Sequence, residues 1–355
     1  MVELAGVPMK IALITDLHIG ARKGNKVVHD YFAKFYDDVF FPYIDEHDIN
    51  HVICLGDTFD VRRGIDFYSL KWAKEHVFEP LAERLIETHI IAGNHDIFHR
   101  NSTEITSSEM LLGEYPHITV YNTPTEVRFA GETTLMLPWL CDGNMEESLK
   151  MLEASKASVV FSHLELVGFE SHRGYIQTKG MAADLFSRFQ RVFSGHYHCK
   201  STQKNITYLG NVYQMYWNDV NDQRGFHVFD IETGELEFVL NPHQYFYQCV
   251  YDDTKKMTVN PDDVVGRMVK VVVKHNTSKA KFNTFIQCIE SANPIDLKII
   301  DELVIDASGV KETDIQLQDT LQILHQFVST LETTENKDSI FEIVKSLYHE
   351  SESAL

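Results

Sequence analysis

Residues 10–18 read Lys10-Ile11-Ala12-Leu13-Ile14-Thr15-Asp16-Leu17-His18. A short apolar run that stops at polar residues predicts a strand buried on both faces, here ending in a carboxylate and an imidazole. Working outward, apolar residues recur at helical spacing from about Val27 to Ile44 (Val28, Tyr31, Phe32, Phe35, Val39). His51 to Leu55 predicts a second strand, running into Gly56-Asp57. Phe67 to Glu87 is helical in pattern, and His89 to Ala92 predicts a third strand, followed by Gly93-Asn94-His95-Asp96. This cadence of strand, loop and helix implies an α/β core, whose functional loops gather beyond the carboxyl ends of the strands.

Further apolar runs lie at Thr134–Pro138, Ser158–Ser162 and Arg191–Ser194, then shorter ones at Ile206–Leu209, Gly225–Asp230 and Leu236–Leu240. The turn residues between the shorter runs predict a second, mostly antiparallel sheet packed on the first. Beyond Tyr245, a strand at Met268–Val273, a helix at Lys279–Ser291 and a strand at Leu297–Ile305 suffice for a small α/β unit. The tail shows two amphipathic helices, one over Leu317 to Leu331 and one over Ile340 to Tyr348. The expected division is 1–244, 245–306 and 307–355.

Composition narrows the classes. Of 355 residues, 44% are hydrophobic and 11% aromatic, enough for a packed core, which excludes global disorder. No apolar run approaches the roughly 20 residues of a membrane-spanning helix, and Met1 to Met9 carries no secretory pattern. Five scattered cysteines without a CxxC pair predict reduced thiols and a cytoplasmic protein. The net charge of −20 argues against indiscriminate nucleic-acid binding, because phosphate contacts need clustered Lys and Arg. Much of that charge is remote from the strand-end motifs: residues 301–355 hold 12 acidic residues against 3 lysines.

Eighteen histidines direct attention to metal chemistry. Five motifs each follow a predicted strand: Asp16-x-His18, Gly56-Asp57-x-x-Asp60, Gly93-Asn94-His95-Asp96, Ser162-His163 and Gly195-His196-x-His198. A single such motif is commonly structural, but five in this order can converge at one sheet edge. Their carboxylate, amide and imidazole donors suit Mn²⁺, Fe²⁺ or Zn²⁺ rather than a thiolate zinc site. Seven candidate ligands exceed one tetrahedral ion and match two ions sharing a carboxylate. Asp96 is expected to support its loop, and Cys199 to stay off the metals.

The order of these motifs resembles the calcineurin-like metallophosphoesterases. Leu137-Pro138-Trp139, Tyr208-Leu209-Gly210 and Asp222-x-Arg224-Gly225-Phe226 extend the resemblance to the SbcD-type nucleases of double-strand-break repair. More narrowly, the chain is similar to the recombination endonuclease subunits of T-even-type bacteriophages. Ser162 departs from the glycine common before the fourth-motif histidine and leaves His163 in place. The resemblance implies a two-sheet α/β sandwich with a small α/β capping domain and C-terminal helices. It implies one metal held by Asp16, His18, Asp57 and His198, and a second held by Asp57, Asn94, His163 and His196. Mn²⁺ is the expected ion, with Mg²⁺ or Fe²⁺ as alternatives. Such ions, roughly 3.5–4 Å apart, clamp a phosphodiester and activate water. His95 resembles the family's catalytic histidine, with Asp60 orienting its imidazole and holding it protonated.

Basic residues stand just downstream of three motifs: Arg22, Lys23 and Lys26, then Arg62 and Arg63, then Arg100. On shared loops they would ring the cleft and contact a DNA backbone without reading sequence. By resemblance, the activity is single-strand endonuclease and 3′–5′ double-strand exonuclease in recombination and repair. The tail helices would dock on a coiled-coil ABC-type ATPase, in a heterotetramer built on a nuclease homodimer. An aromatic-rich first helix (Tyr31, Phe32, Phe35, Tyr36) serves either that dimer or the core. If the chain is phage-encoded, the compartment is the host cytoplasm. The competing readings are a phosphoprotein or nucleotide metallophosphatase with the same motifs, and a non-enzymatic DNA-end scaffold.

Overall fold

The Lys10–Ile14 strand (β1) is paired on both sides, which explains its continuous apolar run. A computed structural model describes residues 9–301 together with Val328, Lys337, Ile340 and Phe341. The first sheet continues through β2 (His51–Cys54), β3 (Glu87–Ile91) and β4 (Ile118–Tyr121), all parallel to β1. The second sheet holds β5 (Thr125–Phe129), β6 (Glu132–Leu137), β7 (Val159–His163), β8 (Arg191–Gly195), β9 (Ser201–Gln203) and β10 (Ile206–Tyr208). The chain then returns to the first sheet with β11 (Gly225–Asp230) and β12 (Leu236–Leu240). The sheet orders are β12-β11-β1-β2-β3-β4 and β9-β10-β8-β7-β6-β5.

Two expectations are corrected here. The second sheet is parallel through its centre, β6 to β7, β7 to β8 and β8 to β10, and antiparallel only at its two edges. β11 and β12 belong to the first sheet, where β11 runs antiparallel beside β1. Hydrophobic alternation says that a segment is a strand; it carries no information about which sheet it joins.

Period-two alternation builds the layers. In β1, Ile11 and Leu13 point into the filling between the sheets, with Leu55, Phe161, Phe193 and Phe229. Ala12 and Ile14 point the other way, into the core beneath the helices. That outer core receives Phe32, Phe35 and Tyr36 from the helix Lys26–Phe35 and its continuation. Leu135, Val160 and Val192 line the opposite outer face of the second sheet. Both long helices pass through a π-turn, Tyr36–Phe40 and Lys74–Phe78, just before Pro42 and Pro80. A proline has no N–H to donate back, so a displaced turn there fits its geometry.

β13 (Phe246–Asp252), β14 (Met268–His275) and β15 (Asp296–Asp301) form a separate parallel sheet with the helix Lys279–Ser291. It has its own apolar cluster, including Tyr251, Val271, Phe285 and Ile289. The two tail helices expected from the sequence lie outside the described residues, apart from Val328, Ile340 and Phe341, which are helical, as is Lys337 in the segment between them.

His227 in β11 should contribute to acid sensitivity. It is 3% exposed, shares a face with Phe229, and its Nδ1 has no hydrogen-bond partner. Burial and the nearby Lys200 push the imidazole down to about 3. Below pH ~6.5 the unfolded chain binds a proton that the folded one refuses, so stability falls from there towards pH 3 by up to roughly 4 kcal/mol. His227→Phe should flatten this limb in denaturant titrations between pH 7 and 4. Equal slopes for both proteins would remove His227 from the account.

Candidate metal centre

Three parallel strands of the first sheet end side by side, so the loops after β1, β2 and β3 bring Asp16, His18, Asp57, Asn94 and His95 to one edge. His163 ends β7 and pairs with Gly195, which places His196 and His198 next to it. The two sheets thus present their carboxyl ends to the same cleft. Asp16, His18, Asp57 and His196 all have positive φ, at 53°, 43°, 52° and 84°. Non-glycine residues seldom adopt this conformation, and such strain clusters at functional sites. Gly56 is required by space as well as by its φ of 99°, since a Cβ there would lie 2.5 Å from His163 Nδ1.

The donor atoms converge in two neighbouring groups. Asp16, His18 and His198 have ligand atoms within mutual reach, and so do Asp57, His163 and His196. His18 Nε2 faces His198 Nε2 at 3.2 Å, and Asp16 Oδ1 lies 3.7 Å from His198 Nε2. Asn94 Oδ1 is 3.0 Å from His163 Nε2 and 2.9 Å from His196 Nδ1. Asp57 Oδ2 stands between the groups, 3.3 Å from His163 Nε2 and 3.7 Å from His18 Nε2. His163 Nδ1 donates to the Leu55 carbonyl at 2.7 Å, which leaves Nε2 as a lone pair aimed into the centre.

Electrostatics make the same point. Asp16 and Asp57 are 0% and 2% exposed, and among the described residues their ion-pair partners are histidines alone. Burial raises Asp16. Burial also opposes ionisation of Asp57, but His163, His18 and His95 outweigh it and hold the carboxyl well below its usual range. His163 would be pushed down by burial, yet the two carboxylates raise it to about 9. Burial, and then His163, push His196 down to about 3; burial puts His198 well below its usual value. Buried carboxylates with no lysine or arginine paired to them, ringed by imidazoles of which His196 and His198 are held neutral, fit divalent cations.

His95 and Asp60 depart from the expected arrangement. The Asp60 carboxylate lies against His18, with Oδ1 3.2 Å from Nδ1, so it orients a candidate ligand. His95 Nδ1 meets the backbone carbonyl of Asp60 at 2.5 Å. A carbonyl only accepts, so Nδ1 carries the proton and Nε2 is left for chemistry. His95 N also donates to Asp57 Oδ1 at 2.7 Å, and its ring centroid is 4.8 Å from that of His18. His95, His18 and Asp57 form a third group within ligand reach.

Asp96 supports its loop as expected, accepting from Thr58 N, Phe59 N and Gly93 N at 3.1, 3.3 and 2.9 Å. Cys199 Sγ contacts Asp222 Oδ2 at 3.8 Å and joins none of the donor groups. Arg224 is a supporting residue that motif reading left without a role. It is 3% exposed, pairs with Asp219 and Asp222, and donates to the His198 carbonyl and to Asn211. Trp139 packs on His196 with ring centroids 5.0 Å apart.

The basic residues divide. Arg62 is partly buried, and the charges of Arg100 and Asp57 both act on its guanidinium. Arg63 lies over the Phe98 ring, 5.7 Å from its centroid. Arg22 and Lys23 sit in a left-handed turn, and Arg22 Nη2 donates to the Met215 carbonyl at 3.0 Å. Lys26 is committed to Asp30.

Residues 9–200, the stretch that builds this centre, match the calcineurin-like phosphoesterase family model, and the chain belongs to that family. Its members use divalent metals. Exonuclease subunit 1 of Enterobacteria phage T4 is 28% identical over 346 residues, covering 97% of this chain and 99% of that protein. The SbcD component of the nuclease SbcCD from Staphylococcus epidermidis is 21% identical over 366 residues, covering 91% and 93%.

Proposed function

We propose that this protein is a two-metal-dependent DNA nuclease that hydrolyses phosphodiester bonds in recombination and double-strand-break repair. The observation that carries it is the extent of the match to nuclease subunits. It runs past the phosphoesterase core and through the small β13–β15 sheet, which a minimal phosphatase does not need. The chain acts as a single-strand endonuclease and a 3′–5′ exonuclease on duplex ends. Among the described residues no helix is long and apolar enough to cross a membrane, and the proposed compartment is the cytoplasm.

Asp16, His18, Asp57 and His198 would hold one ion, and Asp57, Asn94, His163 and His196 the other, with Mn²⁺ as the ion and Mg²⁺ or Fe²⁺ as substitutes. Two divalent ions supply charge neutralisation at phosphorus and an acidified water. The chain's own groups do the rest. The Leu55 carbonyl holds His163 in its tautomer, and the Asp60 carboxylate stands against His18 Nδ1. His95 keeps its Nδ1 proton on Asp60 O, and in its imidazolium form it would deliver the second proton, on Nε2, to the leaving oxygen.

Mn²⁺-dependent cleavage of linear and single-stranded DNA, run beside p-nitrophenyl phosphate, separates this reading from the phosphatase one. Cleavage of DNA is the expected result. Turnover of the small ester with DNA left intact would sink it. Arg62 and Arg63 would contact the DNA backbone, so replacing both with Ala should weaken binding and reduce the salt slope by about one to two. An unchanged slope in a binding titration from 50 to 200 mM salt would remove them from the interface.

The functional units would be 1–244 for the nuclease, 245–306 as a DNA-capping unit and 307–355 for docking on a coiled-coil ABC-type ATPase. The homodimer is assigned to a different surface from the first helix, because Tyr31, Phe32, Phe35 and Tyr36 are all buried in the core. Phe67, Met110, Val61 and Ile105 are 90%, 73%, 46% and 45% exposed around a cavity of about 320 Å³. Contiguous exposed apolar surface of this kind suits an isologous contact with a second copy. The double variant Phe67→Asp, Met110→Asp should run as a monomer in light scattering. A dimer of undiminished affinity would relocate the interface.

A further inference from the structure

Beside the metal centre, a cavity of about 500 Å³ opens between the left-handed turn after β1 and the segment before β11. Its size lies within the ~300–1,000 Å³ of small-molecule sites. Resting on the nuclease reading, we propose that this cavity receives an unpaired nucleobase of the strand being cut, stacked against Tyr216 beside the Arg22 guanidinium.

Four observations carry it. First, the cavity adjoins the centre: Asp60 lines it and also lies 3.2 Å from His18 Nδ1. Second, Tyr216 is 45% exposed at its wall, and its ring lies nearly parallel to that of His198, at 16° and 5.9 Å between centroids. A phosphodiester at the metal centre therefore has this ring within one nucleotide's reach. Third, the positive φ of Gly20, Arg22, Lys23 and Gly24 (97°, 57°, 60° and 68°) folds the turn back. Arg22 Cζ comes to 5.6 Å from the Tyr216 centroid, anchored on the Met215 carbonyl. An aromatic face with a guanidinium beside it is a general platform for bases.

Fourth, the floor is apolar and the amide of Gln214 within it is spent. Val28, Phe32 and Tyr245 are each under 9% exposed. The Gln214 amide donates to the Asp219 carbonyl and accepts from Tyr245 N and Phe246 N. Of the charged groups that line the cavity, Asp60 faces His18 and Arg22 is held by the Met215 carbonyl, so the subsite discriminates weakly among bases. A base inside a duplex is stacked and paired, so the occupant comes from a single strand or a frayed end.

The test compares cleavage by the Mn²⁺-loaded protein of a single-stranded oligonucleotide and a same-length strand of abasic residues, as kcat/KM. Wild type should prefer the base-bearing strand by about 5- to 100-fold, the usual range for one stacked base. Tyr216→Ala should bring that preference close to one, and Tyr216→Phe should restore it. Absence of a preference in wild type, or its persistence in Tyr216→Ala, overturns the proposal; the second outcome would mean that the ring only steadies His198. Failure of wild type to cut either strand overturns the nuclease reading itself, and this inference with it.

Discussion

His95→Ala should keep its full complement of divalent metal and lose DNA cleavage by roughly 10²–10⁴-fold, the usual contribution of a positioned proton donor. The geometry makes the experiment decisive, because His95 stands within ligand reach of His18 and Asp57. A ligand and a proton donor would both be needed for activity, but only loss of a ligand lowers metal content. The hydrogen bond from Nδ1 to Asp60 O fits both roles, since Nε2 is a lone pair in the neutral ring and a proton donor in the imidazolium. Metal content by elemental analysis, measured beside cleavage rate, distinguishes them. Loss of an ion would make His95 a ligand, and cleavage at the wild-type rate would remove it from the mechanism.

Asp57→Asn should be the more damaging change. Its Oδ2 lies between the two donor groups while Oδ1 accepts from His95 N, so one carboxylate serves both halves of the centre and the catalytic loop. The amide keeps the volume and removes the charge that both cations would share. We expect both ions to be lost and cleavage to fall by on the order of 10³-fold or more. By contrast, Asp16→Asn should chiefly empty the Asp16, His18 and His198 group. A variant Asp57→Asn that retains two tightly bound ions would refute a bridging role.

Much of this was legible from the chain. Strands as short and apolar as Lys10–Ile14 announce themselves, and polar motifs directly after them point to one sheet edge. The placement of β11 was not legible, because the alternation of Gly225–Asp230 fits either sheet equally. β4 and β5 escaped notice because their mixed burial leaves no clean apolar run. In the centre, the residue types were readable and their hydrogen bonds were not. Asp60 was expected on His95, and it reaches His18 with its side chain and His95 with its main chain. Sequence spacing cannot separate those two atoms of one residue. Tyr216 was invisible for a similar reason: only the fold stacks it on His198, eighteen positions away in sequence.

The split of the centre between the two sheets gives the apolar filling a second office. Asp16, His18, Asp57 and Asn94 hang from one layer, and His163, His196 and His198 from the other. Leu55, Phe161, Phe193 and Phe229 lie between. These side chains act as a spacer gauge: their combined thickness sets the gap across which the two sets of donors must meet. A methylene added or removed there is felt in a densely packed interior. Its effect would reach the chemistry as a change in how well ions are gripped, from positions that touch neither ion nor DNA.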